Sequence, residues 1–580
     1  MTRNRSMTII AKDPALKESD GKTITTQVQV PWELLDDGPR GYRVHVVDYD
    51  SSRKVLYKPA QFGDQDSFKD KTDEERVSDP AFHAQNVYAT AMRQLARFEF
   101  ALGRRVSWGF GGHQIYACPH AFADENAYYS SDDRGLLFGY FRDGAGKNVF
   151  TCLSHDIVAH ESTHALLDGL RRSYTLPSSP DQAAFHEGLA DIVALLSVFS
   201  AREVVKQLML GPSGTGMIDR SFLNPDALRV SALEGLAAEF AQASTSGRDQ
   251  VLRNGAALAP DRNAYKSVDF EDCHLRSEIL SGAVMRAFIE VWCARLSGWI
   301  DLVSGDQVPV AKVVEDGSDA AEHLLTMCIR ALDYCPVVDV QFGDFLSALL
   351  TADYELLPED GKYKYRDALR KSFGQWGIGP TSTYRWAKAN GDDLQEPGAW
   401  AAPPEAGCLN CDGVHREFLE RDPDEVFRFI WENRDKLGIY EDAYTHVQSV
   451  RPCVRVGPDG FVLRETVAEY IQMLEVNAGE LAGMTPAIVK PQDMPDDTPV
   501  RLNGGGVLIF DEFGRLKYHV RSRIDSPGRQ SARLDYLWRN GVHDTEGRYG
   551  FSDGSPRGMR FAMMHLQRSG QLPHGGEWDE

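Results

Sequence analysis

Residues Ile157-Val158-Ala159-His160-Glu161-Ser162-Thr163-His164-Ala165 decide how this chain is read. The five from His160 to His164 form a His-Glu-x-x-His pattern within an apolar helical period marked by Leu153, Ile157 and Leu167. A spacing of four residues on a helix puts both imidazoles on one face, about one turn apart, where together they can hold one zinc ion. Glu161 stands beside them without competing for the metal, placed to take a proton from a metal-activated water. By composition alone such a pentapeptide is expected roughly 0.03 times in a chain of this length. The bland alternative is a pair of ordinary histidines on a buried helix.

A catalytic zinc needs three protein ligands and one open position. Phe185-His186-Glu187-Gly188-Leu189-Ala190-Asp191 supplies candidates for the third. Ser179-Pro180-Asp181-Gln182 has the capping-box form that starts a second helix, with proline at its first position. Leu189, Ile192, Val193 and Leu196 then make its apolar face. Glu187 and Asp191, four apart, share another face, so one can reach the metal while the other orients a ligand imidazole. A solvated acidic pair, or His186 as ligand, are the competing readings.

At this point the chain resembles the thermolysin-like gluzincin family of zinc metalloendopeptidases, over about residues 80 to 380. The resemblance implies Glu187 as third ligand and Asp191 as the residue that orients a histidine. Asn126-Ala127-Tyr128-Tyr129 is similar to the family's edge strand, which implies substrate-backbone binding at Asn126 and Ala127. Arg220-Ser221-Phe222-Leu223-Asn224-Pro225 is similar to a segment whose arginine binds a substrate carbonyl. Phe150, Leu153 and Ile157 fall where the family builds an apolar pocket for the side chain after the scissile bond. Asp219 stands where that pocket has an apolar wall, and is expected to pair with Arg220 or else to face the pocket. Tyr174 and His274 fall near the positions of the two donors to the tetrahedral oxyanion. The fold implied is α+β: a β-rich lobe over residues 1–152 and a helical lobe over 153–384, with the active site between them. Asp156 matches a calcium ligand of the family, but Val198 replaces a further acidic one, so one catalytic zinc is expected and calcium is not.

The rest of the chain sets limits. With 580 residues, 42% hydrophobic and 26% charged, the composition is that of a globular protein. A net charge of −22 argues against nucleic acid as a partner. No long apolar run suggests a membrane span. Nine scattered cysteines do not make a disulfide framework, and the N-terminus lacks a signal-peptide pattern, so a cytoplasmic location is expected. Pro and Gly concentrate between Tyr384 and Asp412, which suggests a linker over 385–412.

Beyond the linker, an α+β accessory domain over 413–525 is expected as a possible protein-partner surface. It opens with a helix capped by Asp422, and hairpin turns are expected at Asp459-Gly460 and Phe513-Gly514. Residues 526–580, rich in Arg, Gly, Ser and His, read as a tail. Cys408 and Cys411 read as free thiols, and Gly504-Gly505-Gly506 as the start of a hairpin. The function expected is zinc-dependent endopeptidase activity on peptide or protein substrates. A weak or inactive metal-stabilised interaction module and a zinc exopeptidase are the alternatives.

Overall fold

Apolar side chains alternate over residues 25–31 and then recur every three to four positions from Pro80, and the backbone follows that change of period. The computed structural model describes residues 4–12, 23–63, 65–144, 146–176, 178–210, 216–234, 258–267, 272–300, 306–382, 396–401, 403, 409–457, 460–543 and 548–549. Strands β1 (Asn4–Ile10) and β2 (Thr25–Pro31) form an antiparallel pair. A second sheet runs in the order β3 (Val44–Val46), β4 (Ile115–Phe122), β6 (Gly135–Arg142), β5 (Ala127–Ser130), with β7 (Asn148–Phe150) also paired to β6. Helix α1 (Pro80–Leu102) packs against β1 and β2. Asp79 caps its start, accepting from the Ala81 amide at 2.9 Å, and Gly103 ends it at φ 67°.

The helical part comprises α2 (His155–Leu170), α3 (Pro180–Phe199), α4 (Cys273–Ile300), α5 (Val310–Ala331), α6 (Phe342–Tyr354) and α7 (Tyr365–Gln375). Helix α3 is the central one, packed against α2, α4 and α5. Ser179 caps it as expected, accepting from the Gln182 amide at 3.1 Å. Its length and apolar composition would suffice to cross a membrane, yet it is wholly buried in the protein core. The α+β class is therefore observed, with a strand-rich first 150 residues and helices dominating from His155 to Gln375.

The C-terminal region departs from expectation. Helix α8 (Pro423–Glu432) is capped by Asp422, whose carboxylate accepts from the Asp424 amide at 2.9 Å. Strands β8 (Tyr444–Val456), β9 (Val462–Asn477), β10 (Pro499–Asp511) and β11 (Leu516–Ser522) then form an antiparallel sheet in sequence order. Phe513-Gly514 makes the expected turn between β10 and β11, with Gly514 at φ 72°. Asp459 of the other expected turn lies outside the described residues, as do Cys408 and most of the expected linker. Gly504-Gly505-Gly506 does not start a hairpin; it sits inside β10. At Gly505, with φ 145°, a Cβ would lie 2.3 Å from the Tyr470 carbonyl and 2.9 Å from Val337 of the connection between α5 and α6, so the close approach of the neighbouring strand and this connection selects glycine here.

This sheet is covered on both faces. Val467, Val507, Ile509, Tyr518 and Val520 join the main hydrophobic core, while Ala468, Leu508 and Phe510 pack with Val426, Phe429 and Ile430 of α8. One face of this sheet thus shares the core of the helical part, while its other face and α8 form a cluster of their own. The expected tail also changes character, because Pro527–Arg539 forms helix α9. Leu534 and Leu537 are buried, and Arg529 makes a two-pronged bond to Asp344 at 2.7 and 3.0 Å. Two leucines three apart were too sparse a signal against an Arg-rich background. Residues 551–580 lie outside the described residues.

Buried ions tie the sheet to the helices. Asp333, 1% exposed, accepts from Arg104 at 2.5 and 2.6 Å and also from Arg455. Arg455 reaches Glu465 at 2.7 Å, as does Lys517. Burial alone would raise the Asp333 carboxyl, but the two guanidiniums hold it well below the usual carboxylate range. A depressed folded-state value means stabilisation that is present above about pH 3.9 and lost as pH falls through the folded value. Asp333→Asn should lower unfolding free energy at neutral pH by about 3–5 kcal/mol, since it leaves buried cations uncompensated. Urea titration measures this. A chain ending at residue 412 should likewise fail to give a cooperative unfolding transition.

Candidate metal centre

Helix α2 leaves a short turn, Thr151–Leu153, and enters the core beneath β5. Ser162 and Thr163, on the faces not used for metal, donate back to the Val158 and Ala159 carbonyls at 2.7 Å each, so their hydroxyls are satisfied within the helix. At Gly169 a Cβ would lie 2.0 Å from the Ser107 carbonyl, so the last turn of α2 can only pack here as glycine. The run Gly109–Gly112 belongs to the same close contact, a Cβ at Gly109 meeting Asp168 at 2.0 Å.

Across α2 lies α3, and between them the expected ligands converge. Donor atoms of His160, His164 and Glu187 all lie within 4.8 Å of one another. The two Nε2 atoms are 2.8 Å apart, and Glu187 stands 3.5 Å from His160 and 3.7 Å from His164. All three residues are at most 4% exposed. Asp191 Oδ1 is 3.0 Å from His160 Nδ1, so Asp191 orients the imidazole and Glu187 faces the space between the rings.

The donor set fits a cation. A carboxylate accepts only, so His160 donates from Nδ1 to Asp191 and its Nε2 keeps a lone pair toward His164 and Glu187. Burial would lower the His160 pKa, yet bonds to Asp191 and Glu187, with the charges of Asp191 and Glu161, push it up to about 10. The field that would hold a proton there is the field that stabilises a divalent ion. Two imidazoles and one carboxylate are also the ligand set of a catalytic zinc with an open position.

Glu161 is held in place by the edge strand: its Oε2 accepts from the Tyr129 amide of β5 at 2.8 Å. The Tyr129 hydroxyl in turn donates to Asp168, about two turns further along α2, at 2.9 Å. Asn126 and Ala127 open this edge strand, with Asn126 Oδ1 accepting from the Ala127 amide. His274, in the first turn of α4, places Nδ1 3.8 Å from Glu187 Oε2 and so reaches the centre.

Other expected residues go elsewhere. Tyr174 is 1% exposed, its hydroxyl donates to the Pro336 carbonyl and its ring packs edge-on against Phe185, so in this conformation it is a core residue and not an oxyanion donor. Arg220 lies on an exposed turn, Arg220–Phe222, with its amide donating to the Asp306 carbonyl. Asp219 neither pairs with Arg220 nor enters a pocket wall. It caps that turn, accepting from the Ser221 hydroxyl at 2.7 Å and amide at 2.8 Å, bonds that lower its pKa. Phe150 and Leu153 line a cavity of about 1310 Å³ in the strand-rich part, while Ile157 is half-buried against the core outside that lining.

Two residues gained roles that the sequence reading did not give them. His186 places Nδ1 2.7 Å from Nδ1 of His164, with the rings stacked at 4.8 Å, so it orients the second ligand. Asp181, read as part of a helix cap, accepts from Arg276 of α4 at 2.6 Å, the Tyr265 hydroxyl at 2.6 Å and the Phe342 amide at 2.9 Å. It thereby fixes the start of α3 to the helix that carries His274. The pattern Phe185-His186-Glu187 held the only signal for His186; nothing local marked Asp181 as a junction.

No protein-family model matches the chain, and a search of curated proteins finds no match to it.

Asp191→Ala should weaken divalent-metal binding at this centre about 10- to 100-fold by freeing the His160 ring. Competition against a chromophoric chelator reads the affinity, and an unchanged value would assign Asp191 a purely structural part.

Proposed function

We propose that this protein is a zinc-dependent endopeptidase, with a two-lobed thermolysin-like arrangement of β-rich and helical parts around the site. The single observation that carries the reading is the position of Glu161. Its carboxylate adjoins the His160, His164 and Glu187 cluster yet is held by a backbone amide of the edge strand. A merely structural zinc has no need of a base in that place.

Zinc, when bound by His160, His164 and Glu187, would polarise a peptide carbonyl and make water acidic enough to be deprotonated near neutral pH. The residues of the chain do the rest. Glu161 takes the proton of the attacking water and delivers it to the departing amine. The Tyr129 amide keeps Glu161 in one orientation, so the proton acceptor is preorganised. His274 is the histidine positioned to donate to the developing oxyanion, an effect on the order of 10²-fold. Among the described residues β5 pairs with β6 alone, so its outer edge, apart from the Tyr129 amide held by Glu161, offers backbone groups to an extended peptide. Cys118, Cys152, Cys293, Cys328, Cys335, Cys411 and Cys453 are free of disulfides, which agrees with a reducing compartment.

The second reading is a metal-stabilised interaction module with little turnover. The commitment of Tyr174 to Pro336 favours it, since one expected donor is missing. The two-sided cover of β9 and β10 disfavours it, since it leaves less free surface on residues 413–525.

Glu161→Gln should abolish hydrolysis of a broad peptide digest while zinc content stays at the wild-type value. Glu187→Ala should instead lose the ion of this centre along with activity. Peptide cleavage by the Glu161→Gln protein would sink the mechanism, and an inactive wild-type chain with full zinc would favour the interaction module.

A further inference from the structure

A second group of soft donors lies in the strand-rich part. His83 of α1, His120 of β4 and Cys152 of the turn before α2 bring donor atoms within 4.8 Å of one another. Exposures of 1%, 7% and 0% remove all three from bulk water. None of these residues takes part in the chemistry proposed above.

The hydrogen bonds around the two imidazoles fix their tautomers. His83 Nε2 is 2.8 Å from the Val77 carbonyl, and His120 Nδ1 is 2.9 Å from the Asp48 carboxylate. Both partners accept only, so both of those nitrogens carry hydrogen. In the neutral rings this leaves lone pairs on His83 Nδ1 and His120 Nε2, and these two atoms face each other at 2.8 Å. Two facing lone pairs repel unless a proton or a cation lies between them. A proton would serve two donors, but here a third, the Cys152 thiol, converges on the same place. Distal nitrogens held by a carboxylate and a carbonyl are also the arrangement that steadies metal-bound histidines.

We propose that His83 Nδ1, His120 Nε2 and Cys152 Sγ form a second metal site that takes zinc. Two imidazoles and a thiolate suit a borderline-soft ion, whereas magnesium and calcium require oxygen ligands. Bonds of about 2.0 Å at a tetrahedral angle need the two nitrogens about 3.3 Å apart, so the rings part by about half an ångström on binding. The fourth position opens on the cavity of about 1310 Å³, whose lining includes both histidines, Tyr140 and Phe150. Phe150 packs its ring 4.6 Å from His83 and 5.3 Å from His120, closing one side. The ion would clip β4 and α1 to the turn from which α2 begins, and so brace the helix carrying His160 and His164.

The test uses the full chain, stripped with a chelator and reloaded with cobalt(II) or zinc. Cobalt bound by a thiolate gives a sulfur-to-metal charge-transfer band in the near ultraviolet, which the all-nitrogen-and-oxygen centre at His160 cannot give. The wild type and Glu187→Ala should both show the band, and Cys152→Ser should lose it. Zinc content should fall by one equivalent per chain in Cys152→Ser and by a different equivalent in Glu187→Ala. Asp48→Asn should retain the band but bind about 10- to 100-fold more weakly. Absence of the band in the wild type would overturn the site and leave an Asp48–His120–His83 proton chain. Persistence of the band in Cys152→Ser would overturn the assignment of the thiol.

Discussion

The crossing of α2 on α3 forces three imidazoles and three carboxylates into a space with almost no water. His160, His164, His186, Glu161, Glu187 and Asp191 are each at most 5% exposed. Ionised groups so deeply buried are tolerated only when each is paired and the net charge is balanced. A divalent cation held between the rings would supply that balance, and the surrounding fold keeps the groups from relaxing away. Leu166, Leu167, Leu189 and Ile192 of the same two helices are buried apolar side chains, Gly169 lets the Ser107 backbone approach too closely for any side chain, and Gly188 allows a tight approach of α4. At Gly188 a Cβ would stand 3.1 Å from Leu280 of α4.

From this cluster the supports run outward in two directions. Toward the sheet, Tyr129 joins the edge strand to α2 twice, through its amide to Glu161 and its hydroxyl to Asp168. Toward the helices, Asp181 gathers Arg276, Tyr265 and the start of α6, so that the first turn of α4 delivers His274 to Glu187. Each support is a satisfied buried hydrogen bond, which costs little when complete and much when one partner is removed. The C-terminal sheet follows the same rule on a larger scale. Its inner face completes the main core, and the Asp333, Arg455 and Glu465 network pairs the charges that this burial encloses.

Much of the centre was legible without coordinates because its signals are local. The i, i+4 spacing of His160 and His164 needs only helical geometry, and the caps at Ser179 and Asp422 need only neighbouring residues. The helices at Pro80 and Pro180 followed from periodicity and turn residues, while the strand at Ala127 was implied by the family resemblance. Tyr174 was misplaced because its position along the chain suggested the site, while the path of the backbone turned its hydroxyl to Pro336. Asp219 was misjudged for a similar reason: a hydroxyl two residues away competes better for a carboxylate than a flexible arginine next to it.

The sequence by itself determined the helix with His160 and His164 on one face, the acidic pair Glu187 and Asp191 four residues apart, the carboxylate Glu161 between the histidines, and the α+β class. These depend on periods of 3.6 and 2 and on side-chain chemistry, which survive without knowledge of the fold. Only the tertiary structure decided which of Glu187 and Asp191 faces the rings and that His186 steadies His164. It also decided that His83, His120 and Cys152 meet, that one face of the C-terminal sheet joins the main core, and that Pro527–Arg539 folds as a helix. Those outcomes rest on contacts between residues tens to hundreds of positions apart, such as Arg171 with Glu469, and no local pattern encodes the distance between them. Packing does, because a buried polar group must find its partner wherever the chain brings one.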